Sequence, residues 1–405
     1  MNNRIVILNQ WFDPEPTFKG LLFAKELKKK GFEVEVVTGF PNYPGGRLYK
    51  GYKLGIYKRE VIDGIKIHRV FLYPSHDASK IRRILNYGSF ALSSLIFCLF
   101  FLKKPKAIYV YHPPLTTGVT ATILSKIRRI PFVYDIQDLW PDTLKSTGMI
   151  NSIKALKIID KVASFIYKEA KKIVVLSEGF KVKLEDRGVN PDKISVVYNW
   201  ADERFIQPIE HSDEEKKPLF NKNSFNVLYA GNFGIAQELT ALLGAAELLK
   251  NDDRIHIYLM GDGQERDRLV KLKKVDNLTN VTILNSVPLS EISEYLNSAS
   301  ALFIHLKNDP LFEITIPGKT QSYMATGKPI IMGVSGAAAE LITKSNCGIL
   351  AESSNTSSIA NAILMMSKID KNELEQMGKR GRRYYENELS LNSGVDKFAN
   401  IFNSL

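Results

Sequence analysis

Residues 310–333, PLFEITIPGKTQSYMATGKPIIMG, decide how this chain is read. They predict a loop at a strand end, a tight Pro317-Gly318 turn, a short helix from about Lys319, a break at Gly327 and a buried strand over 329–332. Loop, helix and strand in that order form one repeat of a parallel α/β sheet. A glycine at a helix entry with a lysine in the first turn sets backbone N–H groups, the positive dipole end and a mobile cation side by side. That combination suits a phosphorylated ligand. An ordinary helix start with a solvated lysine has the same local sequence, so the surrounding chain must separate the two.

The same alternation extends outward in both directions. Apolar runs at 4–8, 32–38, 107–111, 132–134, 173–176 and 194–197 alternate with helical patterns, and runs at 226–229, 255–260, 281–284, 301–304 and 329–332 repeat the scheme. This predicts two Rossmann-like, doubly wound parallel-sheet domains facing across a cleft. Between them QPIEHSDEEKKPLFNKN, 207–223, has linker composition. The expected divisions are an amino-terminal domain over 1–206, the linker, a carboxy-terminal domain over 224–385, and a helix over 386–405 packing back on the first domain. A chain of 405 residues with 44% hydrophobic and 24% charged residues suits two such domains.

Two cysteines, Cys98 and Cys347, lie in apolar or small-residue surroundings and read as buried reduced thiols, consistent with the cytoplasm. The opening MNNRIVILNQWF reads as a first strand rather than a signal peptide. A formal charge of +12 implies an anionic partner: lipid surface, nucleic acid or phosphorylated substrate.

Ligands of open parallel sheets bind beyond the carboxyl ends of the strands. In the second half those ends carry Gly231 to Gly234, Gly261-Asp262-Gly263 and Gly318-Lys319, three loops where a backbone can approach a ligand closely. In the first half His112, fixed by Pro113 and Pro114, and Asp138 follow strands, with Glu15, Lys19 and Gly20 on the same rim. One segment stands apart. Ile84 to Leu102 is nineteen residues without a charge, between Arg82-Arg83 and Lys103-Lys104. A strand follows at once and must share a sheet with strands upstream, so both ends need to lie on one side. Insertion of this 84–102 helix into an anionic leaflet is expected over burial as a core helix, because basic residues flank both ends.

Together LNQWFDPEP (8–16), TGFPNYPGG (38–46), VYHPPL (110–115), DIQDLWP (135–141), YAGN (229–232) and IPGK (316–319) resemble the family 4 retaining glycosyltransferases of GT-B fold. More narrowly they resemble the N-acetyl-L-fucosamine transferase subgroup of bacterial surface-polysaccharide biosynthesis. The resemblance implies a UDP-sugar donor held by the second domain and a polyprenyl-diphosphate-linked acceptor held by the first, at the inner face of the cytoplasmic membrane. It implies no resident cofactor and no metal site. His112, Lys319 and Asp138 would be catalytic. Gly231, Gly234, Gln237, Gly261, Asp262, Gly263, Gly318, Gln321 and Ser322 would bind the donor, and Glu15, Lys19, Gly20 and Arg47 the acceptor.

The chain also departs from that family. The Arg and Lys that clamp the diphosphate are replaced by Asn232 and Gln237, and the two glutamates eight residues apart by Ile314 and Ser322. Glu313 and Gln321 keep that spacing shifted by one residue. Phosphate charge is then left to Lys319, loop N–H groups and Lys19. Two other readings stand beside transfer: a non-catalytic pseudo-transferase serving the same assembly complex, and a GT-B sugar-nucleotide epimerase. Nucleic acid is not an expected partner, since no aromatic-basic platform or recognition motif accompanies the charge.

Overall fold

The computed structural model describes residues 3–75, 80–209 and 219–405. It divides into two compact units: Met1–Tyr198 with Gly394–Leu405, and Asn199–Ser393.

The first unit is built on an eight-stranded sheet in the order β3-β4-β2-β1-β5-β6-β7-β8. The strands are β1 (Arg4–Leu8), β2 (Glu33–Gly39), β3 (Tyr57–Ile62), β4 (Ile65–Val70), β5 (Ala107–His112), β6 (Phe132–Ile136), β7 (Lys172–Val175) and β8 (Ile194–Val196). All pair in parallel except β3, which runs antiparallel to β4 at the edge. Central β1 has Ile7 beside Val36 on one side and Tyr109 on the other. Apolar residues crowd this centre because helices cover both faces, and every residue of β5 is buried.

The second unit carries six parallel strands in the order β11-β10-β9-β12-β13-β14. They are β9 (Phe225–Ala230), β10 (Ile255–Met260), β11 (Val281–Leu284), β12 (Ala301–His305), β13 (Ile330–Gly333) and β14 (Gly348–Leu350). Each sheet reverses its winding beside its first strand, at β1/β5 and at β9/β12. Such switch points open a crevice at the carboxyl ends, where the loops of interest lie.

The structure adds to the sequence reading and corrects it. The β3–β4 hairpin and β14 were not expected. Asp63 and Gly64 both take positive φ (49° and 76°) in the two-residue hairpin turn, an Asp-Gly signal visible in the sequence. The units part at Tyr198/Asn199 rather than at 206/207, because residues just after the division are tied into the second unit. Glu203 accepts hydrogen bonds from the Tyr385 hydroxyl (2.7 Å) and the Leu391 amide (2.9 Å), and Ile209 N–H donates to Asn297 (3.0 Å). Of the expected 207–223 linker, residues 210–218 lie outside those described. At the far end of the chain Phe398 packs on Phe23 and Tyr109, with ring centres 5.0 and 5.5 Å away.

Helices α1 (Leu21–Lys29), α2 (Lys80–Phe100) and α3 (Leu115–Arg128) flank the first sheet. The apolar 84–102 segment largely coincides with α2. Its window Ile81–Phe100 is long and apolar enough to cross a bilayer, yet only 22% of it is buried. The buried stripe is narrow: Asn86, Phe90, Ser94 and Cys98. Polar groups face inward and bond to the chain leaving β4. Asn86 donates to Tyr73 O (2.7 Å), the Tyr73 amide donates to Ser89 (2.8 Å), and Ser93 donates to Phe71 O. Ile84, Leu85, Leu92, Ile96 and Phe100 point outward. The helix thus buries a stripe that is half polar while turning a wider apolar face outward, unlike an ordinary surface helix, whose outer face is polar.

Candidate functional site

In the second unit, three loops meet at the carboxyl ends of β9, β10 and β12. Gly231 donates to Met260 O (2.8 Å) and Phe233 donates to Asp262 O (2.8 Å), binding the first two loops edge to edge. The approach is too close for side chains. A Cβ on Gly261 would lie 1.8 Å from Gly231 O, and one on Gly263 2.5 Å from Phe233 O, with both glycines at φ 152°. Arg266, a residue the sequence reading missed, bolts this corner from below, donating to Gly261 O (2.6 Å) and Leu284 O (3.1 Å).

The third loop enters the nine-residue helix Gly318–Thr326, which has Pro317 at its N-cap and no side-chain cap. Tyr323, one turn into that helix, latches it to the end of β9, accepting from Ala230 N–H (2.9 Å) and donating to Ala230 O (3.2 Å). Lys319 is thereby laid across the first loop. Its ammonium sits 4.8 Å from the centre of the Tyr229 ring, and its Cε would be 2.5 Å from any Cβ at position 231. Burial lowers its pKa to about 8. No described carboxylate pairs with it. A desolvated cation, a helix N-terminus and glycine backbone converge on one spot, an arrangement that can take up a diphosphate.

The other donor-side candidates divide into braces and open groups. Gln237 is a brace: its side-chain oxygen accepts from the Gly234 amide (3.1 Å) and from the Asn232 side-chain amide (3.4 Å). Gln321 is buried and, in the orientation that satisfies both its atoms, donates to Pro317 O (2.9 Å) and Gly318 O (3.2 Å). It folds back on its own helix start, which corrects the expectation that it grips a ligand. Ser322 donates to Gly318 O (3.3 Å). Asp262 is exposed and accepts from the Gly263 amide (2.8 Å).

In the first unit the rim candidates fare differently. Lys19 is 0% exposed, with its ammonium 3.2 Å from Asp135, also 0% exposed. Asp135 accepts in addition from the Tyr109 hydroxyl and from Gln137 (2.7 Å). The expectation that Lys19 faces an acceptor diphosphate is therefore corrected: its charge is neutralised inside the core. Glu15 is likewise buried, and its carboxylate accepts from the amides of Phe12 (3.1 Å), Asn42 (2.7 Å) and Tyr43 (2.8 Å). Burial pushes it up to about 7 against those donors. It ties two rim loops together instead of meeting a ligand. Gly20 leaves room for Asp13, whose carboxylate caps α1 at Leu21 N–H (2.6 Å); a Cβ there would lie 2.1 Å from that oxygen. Arg47 is exposed.

His112 ends β5 and is 0% exposed, with neither ring nitrogen hydrogen-bonded among the described residues. Burial depresses its pKa to about 3, so the ring is neutral at physiological pH. Trp140 and Tyr134 pack against it at 5.2 and 5.5 Å. A buried polar ring without partners is the group on this rim most in need of one. Burial raises the pKa of Asp138, and its charge in turn helps hold those of Tyr43 and Tyr111 up. Trp11 stacks on Tyr43 at 4.7 Å and meets Tyr87 of α2 edge-on at 6.3 Å, an aromatic shelf that the sequence reading did not single out.

Comparison with known proteins agrees with this geometry. Residues 21–200 match the family model described as a glycosyl transferase 4-like domain, and residues 210–384 that described as glycosyl transferases group 1. A relative in Escherichia coli K12, WcaI, named as a colanic acid biosynthesis glycosyl transferase, is 25% identical over 80% of this chain and 81% of its own. Among solved structures, sucrose-phosphate synthase from Thermosynechococcus elongatus superposes with a TM-score of 0.73 at 14% identity, covering 99% of this chain and 98% of that one. HepE from Anabaena, solved with UDP and glucose, gives 0.69 at 16% identity with full coverage of both. The two matched segments together account for most of the chain, which has the GT-B fold and consists of a glycosyl transferase 4-like domain followed by a glycosyl transferases group 1 domain.

Proposed function

We propose that the protein transfers a sugar from a UDP-sugar to a polyprenyl-diphosphate-linked saccharide, with retention at the anomeric carbon, in bacterial surface-polysaccharide assembly. The donor sugar is of the N-acetylated deoxyhexosamine class, FucNAc being the leading member. One observation carries the reading: the desolvated Lys319 ammonium, without a described carboxylate partner, over the Gly231 loop at a helix N-terminus. The naming of WcaI for colanic acid biosynthesis supports the setting in polysaccharide assembly, and the UDP bound to HepE supports the nucleotide.

In the reaction the bond between the sugar C1 and the diphosphate breaks as the acceptor hydroxyl bonds to C1 on the same face. The hydroxyl proton passes to the departing diphosphate oxygen. Negative charge grows on that diphosphate, where Lys319 and the loop amides oppose it. Neutral His112 offers one ring N–H and one lone pair for sugar hydroxyls without adding charge. Asp138 and the Trp11–Tyr43 shelf are the acceptor-side groups, and α2 holds the protein on the inner leaflet by its outward apolar face.

A second reading keeps the nucleotide and drops the chemistry, as a pseudo-transferase. The neutral Gln237, used as a brace where the family has a clamping charge, favours it. A panel of UDP-sugars incubated with membrane extract, read by product mass and anomeric NMR, decides between the two. Extension of the lipid-linked saccharide by one retained sugar supports transfer. Tight UDP binding with no product from any donor supports the pseudo-transferase, and a donor of unchanged mass with inverted stereochemistry marks an epimerase.

A further inference from the structure

A cavity of about 700 Å³ lies between the second half of α2 and the β3–β4 hairpin, away from every candidate discussed above. It runs along β4 from Val70 to Lys66 and reaches the amino ends of β1 and β2 at Arg4 and Glu35, whereas the candidate rim lies at the carboxyl ends. Its wall is an aromatic ladder. Tyr57 stacks on Phe97 at 5.3 Å, Phe97 on Phe101 at 6.1 Å, and His68 closes the corner at 4.9 Å from Phe97.

Four cations and one carboxylate share the lining. Arg4 and Lys66 are committed to Glu33 and Glu35. Arg59 and Lys103 are exposed and have no ion-pair partner among the described residues. The lips around them are apolar and open to solvent: Ile56 is 87%, Phe101 72% and Ile96 46% exposed, and the surface continues onto the outward face of α2. An apolar cavity that opens through an apolar, cation-rimmed surface matches a long hydrocarbon chain carrying an anionic head.

We infer that this cavity binds one acyl chain of an anionic phospholipid drawn from the leaflet, with the lipid phosphate held by Arg59 and Lys103. The inference deepens the proposed membrane attachment through α2 and rests on it for the source of the lipid. It assigns the cavity a resident lipid distinct from the acceptor substrate.

The test uses the full chain, delipidated, incubated with vesicles of phosphatidylcholine alone or with 30 mol% phosphatidylglycerol, re-isolated and weighed by native mass spectrometry. The expected result is one retained phosphatidylglycerol per chain, at least tenfold preferred over phosphatidylcholine. Ile96→Trp, which narrows the mouth of the cavity, and Phe101→Glu, an exposed change that sets a carboxylate there, each reduce retention at least tenfold with unaltered circular dichroism. Arg59→Ala with Lys103→Ala abolishes the headgroup preference while a lipid is still retained. Retention of nothing by the wild type, undiminished wild-type retention by both Ile96→Trp and Phe101→Glu, or displacement of the phospholipid by equimolar undecaprenyl phosphate overturns the inference. Vesicle flotation, measured in parallel, separates the two claims. Flotation without a retained lipid sinks the cavity site alone, and a retained lipid without flotation sinks membrane attachment alone.

Discussion

Two lysines on strand-end loops beside the switch points of the two sheets, Lys19 after β1 and Lys319 after β12, have opposite chemistry. Both follow strands that flank a switch point, both lose water, and burial lowers the pKa of both. Lys19 meets Asp135 at 3.2 Å inside the core, so its charge is cancelled at home. Lys319 meets a tyrosine ring and glycine backbone, so its charge is left for a ligand. A buried cation marks a binding function only when the protein withholds the partner. The partner, rather than the burial, separates a structural lysine from a working one.

The sharpest way to break this comparison is Lys319→Ala. Turnover is expected to fall about 10²- to 10³-fold, the scale of losing one preorganised charge-stabilising group. The melting temperature should move by less than about 2 °C, since no native partner is orphaned. Steady-state kinetics with a calorimetric scan checks this, and near-normal turnover removes the assigned role. The reciprocal change, Lys19→Met, should leave kcat of the folded fraction within about threefold and cost about 3–5 kcal/mol of stability, because Asp135 stays buried as an unpaired charge. Urea unfolding of both variants side by side tests the contrast. If Lys19→Met proves harmless to stability, the core ion pair has been misjudged.

Gly231→Ala probes the same lysine from beneath. The new Cβ would press on Lys319 Cε at 2.5 Å and strain a backbone at φ 141°, so UDP affinity measured by calorimetry should weaken about tenfold, or about 1.4 kcal/mol. Unchanged affinity would show that Lys319 does not depend on that seat. A pH titration gives the smallest effect. Lys319 is cationic below about pH 8, so UDP binding should weaken as pH rises through that value, and Lys319→Ala should flatten the profile. The ligand-free protein should gain stability over the same rise towards pH 10.5, because the unfolded chain keeps a proton that the folded lysine gives up. In the binding profile neutral His112 should contribute no inflection between pH 5 and 8. In ligand-free stability it adds a rise with pH from about 3 to the ordinary histidine value of 6.5 that the unfolded chain keeps.

Much of the architecture was legible because parallel strands buried on both faces are continuous apolar runs, as in IVIL at β1 and AIYVYH at β5. The hairpin escaped because β3 is an edge strand whose residues are largely exposed or half-buried, so apolar content does not announce it. Its Asp63-Gly64 turn was the readable sign. The glycine loops and Lys319 could be picked out because close backbone approach demands glycine and a helix start is written locally. Lys19, Glu15 and Gln321 misled because a polar residue on a rim loop reads alike whether it faces solvent or turns inward. Each turned inward to satisfy amides, carbonyls or a buried carboxylate. Arg266 and Tyr323 were invisible for the converse reason: their partners at Gly261 and Ala230 are brought near only by the sheet.

By itself the sequence determined the alternation of strands and helices, the glycine-lined strand ends, the cation at the start of one helix and the presence of one long apolar helix. These are local, written in composition and periodicity over a few residues. Only the tertiary structure decided which lysine is neutralised and which is not, which face of α2 is turned outward, and that a cavity lies beneath its second half. Those outcomes depend on atoms brought within a few ångströms from distant parts of the chain. Charge and burial take their meaning from such neighbours, which no local pattern records.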